Sequence, residues 1–506
     1  MISGECKYDV VVIGSGLGGL VSAVTLAKEG RRVCVLEKNK QFGGNLQTFS
    51  RNKKIFDTGV HYIGGLADGQ NLHRYFSYLG IMSELKIEPM PTVFDEICFG
   101  NDPRCYPVAQ GYEAFVARLV QEFPAEEQAL RKYVADLQYT CAAFPLYYAD
   151  EGEGYKSEVL YTNVTEYFRK LTSDEKLRAV LIGNNFLYAG EEGKTPFYVH
   201  ALAVNSYIQS AYRCVAGASQ ISKLLVRTLR RLGGEAINRE EVTAVEMLDG
   251  RVEAVTTDAG RRYSADLFIA NIDPKRALQL IGRPYFRKSY YDRIQELSVT
   301  TSSFSLHLVL KPKQIEYRSS NLYYHDSVAS VGTAVRYLPH EWPTMFMLSM
   351  TEDPEHPGYA ETLTVLTYMD FAEVEKWSTT RNTVLAPTDR GRDYQLFKKE
   401  KMEQLLNKVA LRIAGIQDAV SYAYVSTPLS FRDYIGVHRG NLYGHVKDAE
   451  NPLNTFISPK TKIDNFYLTG HGIYMHGILG VTVGAIATCA EILGRSYLLK
   501  KIRETK

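Results

Sequence analysis

Residues 8–19 read YDVVVIGSGLGG, and this stretch decides the fold of the chain. The unbroken apolar run over residues 10–13 is typical of a buried parallel strand. Three glycines in the spacing GxGxxG follow it at once, a helical pattern comes next, and a second predicted strand over 32–36 stops at Glu37. The order strand, glycine turn, helix, strand and acid predicts a βαβ unit that binds a dinucleotide.

Each of the three glycines of this turn is expected to have a different structural role. Gly14 permits the tight turn, Gly16 lets the backbone approach a pyrophosphate, and Gly19 lets the helix pack against the strand. Glu37 is expected to accept hydrogen bonds from ribose hydroxyls, and its charge disfavours a 2′-phosphate. The residues predicted to contact the dinucleotide here are Gly14, Ser15, Gly16, Leu17, Gly18, Gly19, Glu37 and Lys38.

A second glycine pair indicates which dinucleotide is bound. Residues 38–45 read KNKQFGGN, so Gly43 and Gly44 come just after the second strand. An extended cofactor needs close backbone approach there, whereas NAD sites lack this feature. The pattern resembles the second glycine motif of the flavoprotein family that includes amine oxidases, protoporphyrinogen oxidases and phytoene desaturases, although Gln41 or Phe42 replaces its common arginine. We therefore expect FAD, with Gly43, Gly44 and Asn45 beside it.

The rest of the chain predicts an α/β protein whose Rossmann-like FAD-binding domain is discontinuous and includes a three-strand β-meander. An α+β substrate-binding domain completes it. The FAD-binding domain is expected at residues 1–90, 215–290 and 415–506. Residues 91–214 read as helices of a substrate or cap region, and residues 291–414 alternate as the strands of a mixed α/β substrate-domain sheet.

Three further motifs carry a family resemblance. Residues 56–64 read FDTGVHYIG, residues 427–434 read TPLSFRDY, and FYLTG at 466–470 is followed by GILG at 477–480. With these motifs the chain resembles the retinol saturase, carotenoid isomerase and phytoene desaturase group of FAD-dependent oxidoreductases, and is most similar to the retinol saturase branch. The resemblance is specific at both ends of the chain and loose over 91–214 and 291–414.

The resemblance implies hydride exchange between flavin N5 and a long apolar alkene, most plainly saturation of a polyene or retinoid-like lipid. It also implies cofactor contacts outside the opening unit. The strand that begins near Val242 would meet the adenine, and the strand, loop and helix near the C-terminus would close the flavin site. The residues carried over in this way are Gly59, Val60, His61, Val242, Gly470, Ile478 and Leu479.

Saturation of an alkene also needs a proton delivered near the flavin, because an alkene without a carbonyl accepts hydride poorly. His61, His471, Tyr474 and His476 lie on the motif loops expected around the ring, and His61 is the first choice because it falls inside a branch-like motif. Each of these side chains could equally orient a loop through backbone hydrogen bonds.

Several functions stay open on the sequence alone. Redox-neutral cis–trans isomerisation and desaturation are neighbouring chemistries of the same group, and an amine or porphyrinogen oxidase would share the Glu37 and Gly43–Gly44 architecture. A carrier that shields an apolar lipid is a further alternative. No second GxGxxG follows a strand, so either NAD(P)H docking transiently or a reduced carrier would supply electrons.

Composition indicates which classes of partner and which cell compartment to expect. The formal charge of +2 gives no support for nucleic acid, and the histidines and cysteines show no metal-ligand spacing. Seven scattered cysteines, without a CxxC pair, argue for a reducing compartment and against disulfides, so we expect a cytoplasmic protein.

Arg432 and the basic helix around Arg227 suggest peripheral membrane contact. The aromatic-rich segment 133–212 suggests either a core or a tunnel wall. The oligomeric state is left undetermined.

Overall fold

The computed structural model describes residues 6–152 and 158–505 and contains two large sheets with helices around them. The strands, in chain order, are β1 Cys6–Ile13, β2 Val33–Glu37, β3 Thr48–Arg51, β4 Lys54–Asp57, β5 Ile63–Gly64, β6 Ile87–Pro89, β7 Val93–Phe99, β8 Cys105–Ala109, β9 Ala211–Cys214, β10 Glu235–Asn238, β11 Val242–Leu248, β12 Arg251–Thr257, β13 Arg262–Ala270, β14 Ser302–Leu310, β15 Asn321–His325, β16 Met345–Glu352, β17 Ala360–Met369, β18 Val420–Ser426 and β19 Phe466–Leu468.

The helices surround these sheets and are long mainly near the middle and the C-terminus. In chain order they are α1 Leu17–Ala27, α2 Asn71–Tyr78, α3 Tyr112–Glu122, α4 Glu127–Ala142, α5 Glu158–Tyr161, α6 Val164–Leu171, α7 Glu175–Leu181, α8 Phe197–Gln209, α9 Ser219–Arg231, α10 Pro274–Ile281, α11 Lys288–Glu296, α12 Arg392–Ala410, α13 Ile416–Ala419, α14 Pro428–Ile435, α15 Gly477–Leu493 and α16 Arg495–Glu504.

The first sheet is the Rossmann-like one, as predicted. Its strand order is β10-β2-β1-β13-β12-β11, and β19 pairs in parallel with the second half of β13. Val10 and Val12 of β1 face a core formed with α1, α9 and α15, whereas Val11 and Ile13 face the opposite core. This alternation buries both sides of the strand, which explains why its sequence is apolar without interruption.

Strand β13 belongs both to the meander and to the parallel part of the first sheet. In the structure β13 pairs antiparallel with β12 at its start and parallel with β1 along its length. A single strand therefore connects the meander to the nucleotide-binding unit.

The second sheet has the order β18-β14-β17-β16-β15-β7-β8 and is buried over most of its length. Two of its parts lie in segments for which we expected something else. Strands β7 and β8 fall inside 91–214, which was expected to be helical, and β18 falls inside 415–506, which was expected to belong to the FAD-binding domain. Strand β7 pairs with β15 and β18 pairs with β14, and both partners are distant in sequence, so local pattern did not reveal these pairings.

A disulfide joins Cys98 to Cys105, with an S–S distance of 2.02 Å. The expectation of no disulfide is wrong for this pair. The two residues are directly opposite each other in the β7–β8 hairpin, so the register of the strands brings their side chains together. Cysteine spacing alone does not show such a register.

Among the residues that the structure describes, no helix combines the length and the apolar character that crossing a bilayer requires.

A candidate cofactor cavity joined to an apolar cavity

One cavity lies at the carboxyl ends of the parallel strands, and we call it the strand-end cavity. It has a volume of about 470 Å³, and its lining starts at the turn between β1 and α1. Glu37 after β2, Asn271 after β13 and Gly470 after β19 also line it. The carboxyl ends of four neighbouring strands therefore contribute to one site.

Glycine is required in the first turn because neighbouring backbone leaves no space for a side chain. A Cβ atom at Gly19 would lie 2.2 Å from the carbonyl oxygen of Gly14, and one at Gly14 would lie 2.6 Å from that of Asn271. Gly14 has a φ of 97°, in the region that favours glycine. The turn is thus held against β13 as tightly as the predicted roles of these glycines require.

The two glycine motifs meet in space. Gly16 and Gly43 form an isolated parallel bridge, and a Cβ atom on Gly44 would lie 3.3 Å from the Cα of Gly16. The first turn of α1 carries no acidic residue and no side-chain cap, so its amide groups are available to an anionic ligand. This cradle of bare backbone fits a diphosphate, and the residues present are those that a dinucleotide needs.

Ser15 joins the two motifs to the acid at the end of β2. Its N–H and its hydroxyl donate to Oε2 of Glu37 at 3.1 and 2.5 Å, and its Oγ accepts from the N–H of Gly43 at 3.1 Å. The other oxygen of Glu37 accepts from the N–H of Asn39 at 2.8 Å. A carboxylate has about four acceptor sites, and these three bonds leave Glu37 about one site for a ribose hydroxyl while they fix its position.

Most of the predicted cofactor residues line this cavity. Those in the lining are Gly14, Ser15, Gly16, Leu17, Gly18, Glu37, Lys38, Gly43, Gly44, Asn45, Gly59, Val60, Val242, Gly470 and Ile478. Gly19 lies behind the turn, His61 lies outside the lining, and Leu479 lines a second cavity. The ammonium of Lys38 donates to the carbonyl of Asp433 at 2.9 Å, and so it anchors α14.

Asn271 is a site residue that the sequence analysis did not single out. Its side-chain amide donates to the carbonyl of Gly14 at 3.2 Å, and its atoms limit the space at Gly16, Gly18 and Gly470. It was visible in the sequence only as the polar residue that ends an apolar strand, a position that commonly faces the ligand in such sheets.

The second cavity, which we call the apolar cavity, has a volume of about 220 Å³. It runs between α8, the loop before α15 and the start of α15 itself. Its aromatic lining residues are Phe144, Tyr147, Tyr198, Tyr207, Phe456 and Tyr474. Part of the aromatic-rich segment is thus a cavity wall, and another part, including Tyr133 and Phe168, packs around the buried His200.

The two cavities share three consecutive residues, His476, Gly477 and Ile478, at the N-terminus of α15. The N-terminus of α15 therefore borders both cavities. A helix N-terminus stabilises negative charge on an adjacent group.

The structure separates the four candidate proton donors. His471 lines the strand-end cavity, Tyr474 lines the apolar cavity, and His476 lines both. His61 lies in neither lining, and its Nε2 is enclosed without a hydrogen-bond partner among the described residues. Three candidates thus lie together, and the first choice of the sequence analysis lies apart from them.

Burial keeps these histidines neutral. Desolvation lowers the pKa of His476 to about 3 and that of His61 to about 4, and it also lowers the pKa of His471. Nε2 of His476 lies 3.1 Å from the carbonyl of Leu187, and a neutral ring protonated there donates to it. That bond and the neighbouring ring of Tyr443 fix the orientation of His476.

Arg432, which we expected to contact a membrane, is engaged inside the protein. It donates to the carboxylate of the adjacent Asp433 and to the carbonyl of Ser378 at 2.5 Å. It therefore fastens α14 to the loop after β17.

Comparison with known proteins gives the same architecture. A model of the NAD(P)-binding Rossmann-like domain matches residues 12–79. An all-trans-retinol 13,14-reductase of Rattus norvegicus is 28% identical over 97% of this chain and 86% of its own length. The chloroplastic prolycopene isomerase 1 of an Oncidium hybrid cultivar is 22% identical over 98% and 85%.

A solved structure of a putrescine oxidase variant, from a redesign of its cofactor binding, also has a similar fold. It covers 97% of this chain and 100% of its own, with a TM-score of 0.66 and 14% identity. This likeness concerns the fold. The similarity to the two sequence relatives extends over both large sheets and both cavities.

Proposed function

Because the chain is homologous along nearly its whole length to all-trans-retinol 13,14-reductases and prolycopene isomerases, we propose that it is an FAD-dependent oxidoreductase acting on carbon–carbon double bonds of a long apolar lipid. The observation that carries the proposal is the sharing of residues 476–478 by the strand-end cavity and the apolar cavity. An extended dinucleotide and an apolar chain would come together at that helix end.

The residues that would hold FAD are those of the two glycine motifs, with Glu37 on the ribose and Val242 near the adenine. When bound, the flavin supplies hydride exchange. The chain's own contributions are an aromatic wall, the positive end of α15 and a proton source. We assign the proton to the hydroxyl of Tyr474, which lies in the apolar cavity beside the shared residues.

Saturation is the direction we propose, with transient NAD(P)H or a reduced carrier as the electron donor. The relatives named as isomerases support a second candidate, a redox-neutral cis–trans isomerase. An amine oxidase is disfavoured, because the charged residues in the described lining of the apolar cavity are Lys447 and Arg495, both cationic, and they offer nothing to an ammonium group.

The test uses the full chain reconstituted with FAD, reduced chemically without oxygen and mixed with a conjugated polyene. We expect a product that has gained two hydrogen atoms by mass spectrometry, together with oxidation of one flavin for each product. Isomerised polyene with the flavin still reduced would select the isomerase, and no change of flavin or polyene would contradict both.

Tyr474→Phe and His61→Ala form a matched pair in the same assay. We expect Tyr474→Phe to keep bound flavin and to slow product formation by about 10²-fold, the usual scale of general acid catalysis. His61→Ala should keep both the flavin and the rate, since it lies outside the two linings. A slow His61→Ala variant together with an unaffected Tyr474→Phe variant would instead identify His61 as the proton donor.

A further inference from the structure

Lys447 is an unusual group in the apolar cavity. It follows the short loop 442–446, which is tied to the rest of the protein by the N–H of Val446 donating to Ser298 at 3.0 Å. Its side chain lines the apolar cavity and also a small cleft shared with His471, Tyr474 and His476. It therefore lies at the end of the apolar cavity that borders the proposed flavin site.

The ammonium group of Lys447 is poorly satisfied. An ammonium carries three donors, and its one hydrogen bond among the described residues is a long one of 3.3 Å to the carbonyl of Thr455. Lys275 shows the ordinary arrangement, because its ammonium donates to the carbonyls of Gln295 and Leu297 at 2.7 Å each. Lys447 thus differs from a lysine whose task is to hold loops together.

No negative charge compensates Lys447 in the described part of the chain, where it forms no ion pair. The titratable groups in its cleft are Tyr188, Tyr443, His445, His471, Tyr474 and His476. Burial lowers the pKa of His445 to about 4 and that of His476 to about 3, so both are neutral near pH 7. Asp273 lies close enough to act on His445 and His471, but it does not compensate Lys447.

An enclosed ammonium without a counter-ion lowers the stability of the folded protein unless a ligand supplies the negative charge. Burial lowers the pKa of Lys447 to about 8, which still leaves the side chain protonated at neutral pH. A buried charge is normally paired, and strongly perturbed groups in cavities concentrate at functional sites. The missing partner is therefore expected from the ligand, and it has to be an anion carried by a molecule that otherwise suits aromatic walls.

We propose that the apolar cavity binds a long-chain lipid carboxylate whose head group pairs with Lys447 at the flavin end. This inference deepens the proposed function and rests on it for the position of the flavin. Arg495 is the other cation in the lining, but it begins α16, beyond the whole of α15. Lys447, by contrast, lines the small cleft with His476 at the start of α15, so we place the head group at Lys447.

The test measures binding rather than turnover. The probes are a conjugated C18 tetraene fatty acid, which fluoresces in apolar surroundings, and the alcohol with the same hydrocarbon chain. We expect the full-length protein to bind the acid at least about tenfold more tightly than the alcohol at pH 7, as a charge-assisted hydrogen bond provides. The preference should decline when the pH is raised far enough to deprotonate Lys447.

Two variants locate the head group. Lys447→Met should weaken binding of the acid about tenfold and leave binding of the alcohol unchanged. Arg495→Met should leave the preference as it is. Equal affinities for acid and alcohol in the unaltered protein would overturn the proposal, and so would a preference that survives Lys447→Met.

The same measurement separates this inference from the proposed function. Flavin uptake is followed by absorbance on the same samples. A protein that prefers the acid but takes up no flavin would refute the proposed function and keep the carboxylate site. A protein that binds flavin and reduces a polyene without preferring the acid would refute the site alone. Thermal unfolding of Lys447→Met, expected at or above the wild-type temperature, excludes loss of folding as the cause.

Discussion

Single residues decide whether the cofactor cradle can form, and Gly19 is the most constrained of them. Alanine at this position would place its Cβ 2.2 Å from the carbonyl of Gly14, so the turn or the helix must shift. We expect Gly19→Ala to cost about 1–3 kcal/mol of unfolding free energy and to prevent flavin uptake. Chemical denaturation and the absorbance of the purified protein measure the two effects.

Gly30→Ala is the control for this prediction. Gly30 has a φ of 77°, but a Cβ atom there would meet nothing within 4 Å. The change should cost about 1 kcal/mol from backbone strain and leave flavin binding intact. Equal loss of flavin in both variants would show that general destabilisation, rather than the cradle, controls uptake.

Asp95 is a buried carboxyl that makes stability depend on pH. It accepts hydrogen bonds of 2.9 Å from Tyr62 and from Asn321, yet desolvation raises its pKa to about 7. The folded pKa is above the unfolded value near 4. Its stabilising contribution is therefore complete below about pH 4 and is lost as the pH rises through 7.

Asp95→Asn removes this titration while keeping a side chain that can hydrogen-bond to Tyr62. We expect the wild type to lose about 2 kcal/mol relative to the variant between pH 5 and pH 7.5. Urea unfolding at both pH values measures the difference. Asp57, whose pKa burial raises to about 6, is present in both proteins and its effect cancels. A difference that does not change with pH would contradict the raised pKa.

At the scale of elements, α14 is held by a buried ion pair. Asp433 accepts from Arg390 and Arg432, and from the N–H of Asn382 at 2.9 Å. The side chains of Arg390 and Asp433 are 4% and 0% exposed, so removing one leaves the other charged and enclosed. This cluster fixes the segment 380–391 over the helix that Lys38 also contacts.

We expect Asp433→Leu to cost about 3–5 kcal/mol, because it leaves two arginines without their counter-ion. The double variant Arg390→Met with Asp433→Leu should recover part of this loss. Urea denaturation gives the energies, and trypsin cleavage within 380–391 reports release of the segment. Equal losses for the single and the double variant would mean that the charges are not coupled.

Some helices and strands could be predicted from the local sequence and others could not. The strand, turn and helix of residues 6–27 were predictable because each has its own local signal: an apolar run, a glycine spacing and a helical period. Strand β7, by contrast, owes its place in the sheet to a partner far away in the sequence. It pairs in parallel with β15, so that Asp95 lies opposite Asn321, and the sequence around either residue gives no signal of this pairing. The disulfide between Cys98 and Cys105 was missed for a different reason: the two residues are only seven apart, but cysteine spacing does not show the hairpin register that places them opposite each other.

The same limit applies to the candidate site. Glu37 and the glycines could be named in advance because their roles depend on neighbours in sequence. Lys447 could not, because its character comes from the surrounding aromatic walls and from the lack of an acid around it, both of which exist only after folding. His61 shows the converse, since a residue inside a family-like motif lies outside both cavity linings.

For the whole molecule, the arrangement of the first sheet has a consequence for biosynthesis. The glycine turn is complete within the first twenty residues, but β13, β19 and α15, which enclose it, follow only at residues 262–270, 466–468 and 477–493. A chain emerging from the ribosome therefore carries an unfinished pocket until α15 has appeared. We therefore expect flavin capture to follow the synthesis of α15, and nascent chains cut short before this helix should be colourless.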